Sequence, residues 1–531
     1  MLISDIRRSW TRTLIVRYPR RSPQAIYAEH EPGLGRFLSG GAQGPRTIIV
    51  VSTTRPAWGR LHIGNGVGYS RVASSPGSPQ FECLPFFPPA IAGRYVAGLG
   101  MKLPRMSYAR GHKLEQVLGA GCSMRVVKIA TLRATVVGAI FVLVAACAGW
   151  ATAVPLPEQD SFYVEPEGLA DLADGTVLAS RVIETESFWQ PLPADAWQVQ
   201  YKTIDNHGEP RAYIATILVP HREWTGDGPR PLLSYQVAED GVGSKCAPSY
   251  ALRGGLEGGP SGAYAETGMI RFALQQGWAL VVPDYQGPDS ELFGAQGYVH
   301  GVLDGIRAAR AFAPAAVDAA APIGMWGYSG GAQATAIAAQ AHTTYAPELP
   351  LSGVVLGGVV ADLEATMAGF SGGIAGGAVV VGLVGLDRSY PEADVSQYLN
   401  ESGREMLAAS RADCVPDAAL AYPFLDAATL EAWPGSITNN AELSHVVRKA
   451  SPLFRAGAPA APVLIHHAVA DEFAPIGSAR ALAEKYCGAG IPVQLAENMV
   501  GEHGTEAMLG TATALSYLAD RFAAKPAAST C

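Results

Sequence analysis

The feature that most narrows the fold of this chain is a set of short apolar runs that do not alternate with polar residues, each beside a stretch of helical spacing. Ala279-Leu280-Val281-Val282 is apolar throughout, as are Gly353-Val354-Val355-Leu356 and Pro462-Val463-Leu464-Ile465. A strand that is apolar on both sides must be covered on both sides, and crossover helices do this for a parallel sheet. Helical spacing falls where such crossovers are needed, at 269–276, 302–312, 332–342, 479–486 and 505–522. Ahead of them, residues 197–201 and 212–219 read as strands joined through the turn Asp205-Asn206-His207-Gly208, an antiparallel start. The expected fold class is α/β: a mostly parallel central sheet with helices on both faces. The alternation stops between 365 and about 451, where a Gly-rich apolar run (374–386) precedes a more polar helical region containing Cys414. An insertion of that length is expected to be a lid or cap; a packed supporting subdomain is the other outcome.

Charge divides the chain. Residues 1–123 hold 16 Lys and Arg against 5 Asp and Glu, whereas the remainder holds 23 against 42. The acidic body excludes nonspecific nucleic-acid binding, which depends on neutralising phosphates. Residues 1–123 show no sustained apolar period and read as a basic leader, structureless or spurious with the real start at Met124, or as a basic docking arm. Met124-Arg125-Val126-Val127-Lys128, an apolar stretch from Ala134 to Ala146 and the small-residue exit Ala151-Thr152-Ala153 follow. Residues 124–153 therefore read as a secretory signal, and Val144-Ala145-Ala146-Cys147 as a lipobox that would lipidate Cys147. A single membrane anchor is the alternative. The body from 154 to 531 would be exported, so its Cys246, Cys414, Cys487 and Cys531 would meet an oxidising compartment.

The chemistry centres on Gly327-Tyr328-Ser329-Gly330-Gly331, set between the expected strand at 323–326 and a helix. A serine at such an elbow sits in strained dihedrals, and glycines two positions to either side remove clashing side chains. A second copy, Gly369-Phe370-Ser371-Gly372-Gly373, has no buried strand before it and reads as a hinge into the insertion. A serine hydroxyl needs a base, and the base needs an orienting carboxylate. After the strand at 462–465 comes His466-His467-Ala468-Val469-Ala470-Asp471-Glu472. After the strand at 493–495 comes Gly501-Glu502-His503-Gly504. In the order serine, acid, histidine, these supply Asp471 as orienter, with Glu472 as competitor, and His503 as base. His466 and His467 precede the acid and read as strand-end residues. The backbone amide of Gly330 is the first oxyanion donor. The second is expected from the loop Ala238-Glu239-Asp240-Gly241.

Several ordered blocks resemble the secretory lipases typified by yeast lipase A. They are Ser234-Tyr235-Gln236-Val237-Ala238-Glu239-Asp240, Cys246-Ala247-Pro248-Ser249-Tyr250, Leu274-Gln275-Gln276-Gly277, Leu303-Asp304-Gly305-Ile306-Arg307-Ala308, the elbow itself and Tyr345-Ala346-Pro347-Glu348-Leu349. The resemblance runs from about Phe162 to Ala523. It implies an α/β-hydrolase fold with an inserted lid, hydrolysis of triacylglycerols or other lipid esters, and a protonated Asp240 side chain as second oxyanion donor. Burial or the neighbouring Glu239 would have to raise the pKa of that carboxyl. The resemblance also implies a Cys246–Cys414 bridge, leaving Cys487 free or paired outside the pattern. The expected partner is a lipid or other ester at a lipid–water interface. Other serine hydrolase chemistries (non-lipid esters, acyl transfer, peptide cleavage) use the same triad, and a noncatalytic lipid binder would need a damaged one. No cofactor is expected. There is no His-Glu-x-x-His, no paired Cys-x-x-Cys and no phosphate-binding Gly loop.

Overall fold

The computed structural model describes residues 154–256 and 261–531, together with the backbone of five strands within the first 72 residues. The chain divides into two units, Met1–Arg125 and Val126–Cys531. In the first, Ile3–Arg8, Thr11–Arg17, Ile48–Thr54, Trp58–Ile63 and Tyr69–Val72 pair in chain order as an antiparallel sheet. This differs from the structureless leader expected for 1–123. The third strand is the β-branched run Ile-Ile-Val-Val-Ser-Thr-Thr, whose residue types favour an extended backbone even without strict alternation. The signal segment at 124–153 and Cys147 lie outside the described residues.

The second unit is built on a nine-stranded sheet. In chain order its strands are β1 (Val177–Ile183), β2 (Ala194–Ile204), β3 (Pro210–Pro220), β4 (Leu232–Gln236), β5 (Ala279–Pro283), β6 (Ile323–Tyr328), β7 (Leu351–Gly357), β8 (Val463–Ala468) and β9 (Val493–Asn498). Their order in space is β9-β8-β7-β6-β4-β5-β3-β2-β1. β4 to β9 are mutually parallel, and β1 to β3 form the antiparallel end. In the β2–β3 turn, Asp205 Oδ1 accepts the amides of His207 and Glu209 at 2.9 Å, while Gly208 takes the left-handed conformation (φ 89°).

Adjacent strand residues enter different cores. Ile217, Met325, Val354 and Val463 join one cluster, and Leu218, Trp326, Val355 and Leu464 join the other. Successive side chains point to opposite faces, so the two clusters lie on the two sides of the sheet. Helices α1 (Thr267–Gln275), α2 (Ala295–Ala311) and α3 (Gly330–Tyr345) supply their covers. Each fully buried large side chain contributes about 1.5–3 kcal/mol.

Between β7 and β8 the chain forms α4 (Leu363–Phe370), α5 (Ala378–Ser389), α6 (Glu401–Ala409), α7 (Val415–Ala421) and α8 (Ala441–Lys449). These helices share a third hydrophobic cluster, which meets the body at Val242, Leu292, Val360 and Ala474. The Gly-rich run becomes part of α5 because its glycines permit close approach. A Cβ on Gly385 would lie 2.9 Å from Leu292 Cβ, and one on Gly377 would lie 1.9 Å from the Ala418 carbonyl oxygen. Ser371, expected in a hinge, is instead tied down. Its hydroxyl accepts the Ala427 amide at 2.9 Å, and the Gly372 amide donates to Leu425 O at 2.7 Å. After β8 come α9 (Ile476–Gly488), then β9, α10 (His503–Leu509) and α11 (Thr511–Phe522). The single final helix expected at 505–522 is two, divided at Gly510. A Cβ there would strike His466 Nδ1 at 2.0 Å.

Candidate active site

The sheet gathers the site at the carboxyl ends of its parallel strands, the edge where open α/β sheets bind ligands. Ser329 directly follows β6 and precedes α3, with φ 52° and ψ −122°. This left-handed conformation in a non-glycine residue lifts the hydroxyl clear of both elements. A Cβ on Gly327 would lie 2.2 Å from Gly331 O, and one on Gly331 would lie 2.0 Å from Gln236 O. Both glycines are therefore required by contact distance.

Ser329 Oγ lies 2.8 Å from His503 Nε2, and His503 Nδ1 lies 2.7 Å from Asp471 Oδ2. Asp471 follows β8 and His503 opens α10 after β9, so the ends of β6, β8 and β9 converge across β7. The other Asp471 oxygen accepts the amides of Phe473 at 3.0 Å and Ala474 at 2.7 Å. Capping of the loop and orientation of the histidine are thus served by one carboxylate. Burial pushes its pKa up, but the hydrogen bond and charge of His503 and the Ala474 amide outweigh this, and the net shift is downward. Glu472, the competing acid, does not face the imidazole. Its Oε2 accepts the His503 backbone amide at 3.1 Å, while Tyr328 Oη donates to the His503 carbonyl. The residue is gripped from both sides of its backbone.

His466 and His467 lie in the carboxyl-terminal half of β8, fully buried. His467 Nε2 donates to Ala474 O at 2.7 Å, and burial lowers its pKa, so it braces the Asp471 loop as a neutral ring. His466 Nδ1 meets Glu506 Oε1 at 2.9 Å, and Glu506 Oε2 accepts from Asn498 at 2.9 Å. This ties α10 to β8 and β9. Neither Glu472 nor Glu506 carries a sequence signal, because their roles depend on loop paths. His445 is exposed on α8.

Gly330, the first residue of α3, has no intrahelical acceptor for its amide. Asp240 stands over it: a Cβ on Gly330 would lie 2.0 Å from Asp240 Oδ1. Asp240 itself has φ 32°. Burial pushes its carboxyl pKa up to about 6, opposed by the charge of His503 and by its own backbone amide. Burial, not Glu239, supplies the rise. Glu239 is itself held well above the usual range by burial and by Asp284. The Asp240 loop is fastened to the insertion: Asp240 O accepts the Val415 amide at 2.9 Å, Val242 N donates to Asp413 O at 2.9 Å, and Cys246 is bonded to Cys414. Cys487 pairs with Cys531. On the other side of Ser329, Met367 and Phe370 of α4 close a cavity of about 60 Å³. Phe370 stacks on Phe473 at 4.6 Å, and Phe473 packs against His503 at 5.5 Å. Among the described residues no group of three or more His, Cys, Asp and Glu could hold a metal ion, and no helix is long and apolar enough to cross a membrane.

A parallel sheet with an elbow serine at its carboxyl edge is the architecture of the α/β-hydrolases. Candida antarctica lipase A matches it with a TM-score of 0.64 and 28% identity, over 72% of this chain and 89% of that one. The family model described as "Secretory lipase" matches residues 261–530. Lipase A of Arthroderma benhamiae is 33% identical over 69% of this chain and 79% of its own length. A Mycobacterium tuberculosis protein named "Probable inactive lipase" is 37% identical over 70% and 83%. The chain belongs to the secretory lipase family. Hydrolysis of carboxylic esters of lipids and an extracellular location come with that membership.

Proposed function

We propose that this chain is an active lipid ester hydrolase working through a Ser329–His503–Asp471 triad and an acyl-enzyme. One observation carries the reading: an unbroken hydrogen-bond path of 2.8 Å and 2.7 Å from hydroxyl to imidazole to carboxylate. Kinship gives the class of reaction, and because one relative is named as inactive, the intact catalytic machinery of this chain is argued from these side chains.

Ser329 Oγ attacks the ester carbonyl carbon as His503 Nε2 takes its proton. Asp471 keeps the other imidazole proton on Nδ1 and stabilises the imidazolium. The Gly330 amide and the protonated Asp240 carboxyl donate to the oxyanion. Collapse of the tetrahedral intermediate expels the alcohol, which takes the proton from His503. Water, deprotonated by the same nitrogen, then releases the fatty acid. The insertion acts as a lid: about 60 Å³ is too little room for a lipid acyl group, so α4 and its Phe370–Phe473 contact must give way for substrate to enter.

Residues 124–153 act as the export signal, leaving a body that begins near 154 or is anchored by lipid at Cys147. N-terminal sequencing of the exported protein distinguishes these starts, and a mature chain retaining residues 1–123 refutes both. For the chemistry, a fluorophosphonate should label Ser329, and p-nitrophenyl esters should be cleaved by the wild type but not by Ser329→Ala. Turnover retained by that variant refutes the triad. A series of ester chain lengths set against peptide substrates separates lipid ester cleavage from the peptidase and short-ester alternatives.

A further inference from the structure

A second cavity of about 520 Å³ lies on the far side of α4, and Met367 lines both it and the space above Ser329. Its size falls within the range of about 300–1,000 Å³ typical of small-molecule sites. The floor is apolar, formed by Leu383 and Leu386 of α5 with Leu443 and Val447 of α8. The rim is different. Asp362 and Glu364 stand at the start of α4 opposite Ser444, and no Lys, Arg or His lines the cavity.

The rim carboxylates are only half used. Asp362 Oδ1 accepts the Glu364 and Ala365 amides, and Glu364 Oε2 accepts the Ser444 hydroxyl at 2.9 Å. Among the described residues, the second oxygen of each carboxylate has no protein donor. A half-open recess of this size leaves its leucine floor in contact with water, and its acidic mouth would repel a fatty-acid anion. A ligand suited to it combines one hydrocarbon chain with a neutral head group rich in hydroxyl donors.

We propose that this chamber is a second binding site, for a neutral single-chain amphiphile of the monoacylglycerol type. The chain lies on the Leu383–Leu443 floor, and the glycerol hydroxyls donate to Asp362 and Glu364. The choice of a glycerol head group rests on the lipid ester reading; the existence of the site does not. Because Met367 belongs to both walls, occupancy bears directly on the catalytic cavity.

The probe is 1-O-decylglycerol, an ether that no esterase can cleave, titrated below its micelle concentration into the full-length protein by calorimetry. One saturable site is expected, with decanoate failing to compete. Ser444→Trp, which fills the half-buried rim, should weaken binding at least tenfold while leaving fluorophosphonate labelling of Ser329 unchanged. Glu364→Lys should weaken decylglycerol binding and admit decanoate. Absence of a saturable site, or binding indifferent to both substitutions, overturns the proposal. Failure of Ser329 to react with phosphonates would count against the triad alone, since the titration needs no turnover.

Discussion

The sheet and the insertion divide the labour unequally. The sheet fixes Ser329, Asp471 and His503 through strand ends whose relative positions are set by backbone ladders. The insertion contributes no triad member. It reaches the site through the Val415–Asp240 hydrogen bond, the Cys246–Cys414 bond and the Met367 and Phe370 side chains. On the proposed mechanism, proton transfer therefore belongs to the half built on these ladders. Access, and the placing of the proposed second oxyanion donor, belong to the half with its own separate core.

The comparison breaks most sharply at Ser329. Ser329→Ala should lower kcat by about 10⁴-fold or more with a circular dichroism spectrum like the wild type. Next, Asp240→Ala should cost about 10²–10³-fold in kcat, the usual effect of removing one oxyanion donor. The Asp240 carboxyl is a donor only when protonated. That form prevails below about pH 6 and is lost as pH rises through it. Wild-type kcat/KM should therefore carry a falling limb above that pH. Asp240→Asn, whose amide donates at every pH, should flatten it, and an unchanged profile would remove Asp240 from the reaction.

Smaller effects probe the link between the two halves. Cys414→Ser should lower stability by about 2–5 kcal/mol in a denaturant titration. Because the bond ties the Asp240 loop to the insertion, kcat should fall as well. Cys487→Ser, outside the lining of the cavity at Ser329, should change stability without touching kcat. Phe370→Ala should open the entrance and lower KM for long-chain esters several-fold, with kcat for p-nitrophenyl acetate nearly unchanged. An equal effect on both substrates would mean that Phe370 supports His503 rather than gating access.

Ser329 was legible because an apolar strand, a glycine-flanked turn and a helix leave few other folds for that segment. Asp471 and His503 followed from strand ends and chain order. Asp240 was legible only through resemblance, since a lone aspartate in a loop carries no pattern. The sequence did not reveal that Glu472 grips the His503 backbone, that α10 and α11 part at Gly510 against His466, or that Cys531 meets Cys487.

The alternation of apolar runs and helical stretches by itself determined a parallel sheet and which chain segments end at its active edge, because those choices depend on local periodicity and burial. Tertiary structure alone decided which carboxylate faces the imidazole, how far Asp240 is taken out of water, and what space lies on either side of α4. These depend on angstrom-scale packing between segments separated in the chain by one or more elements, where no local pattern constrains the distance.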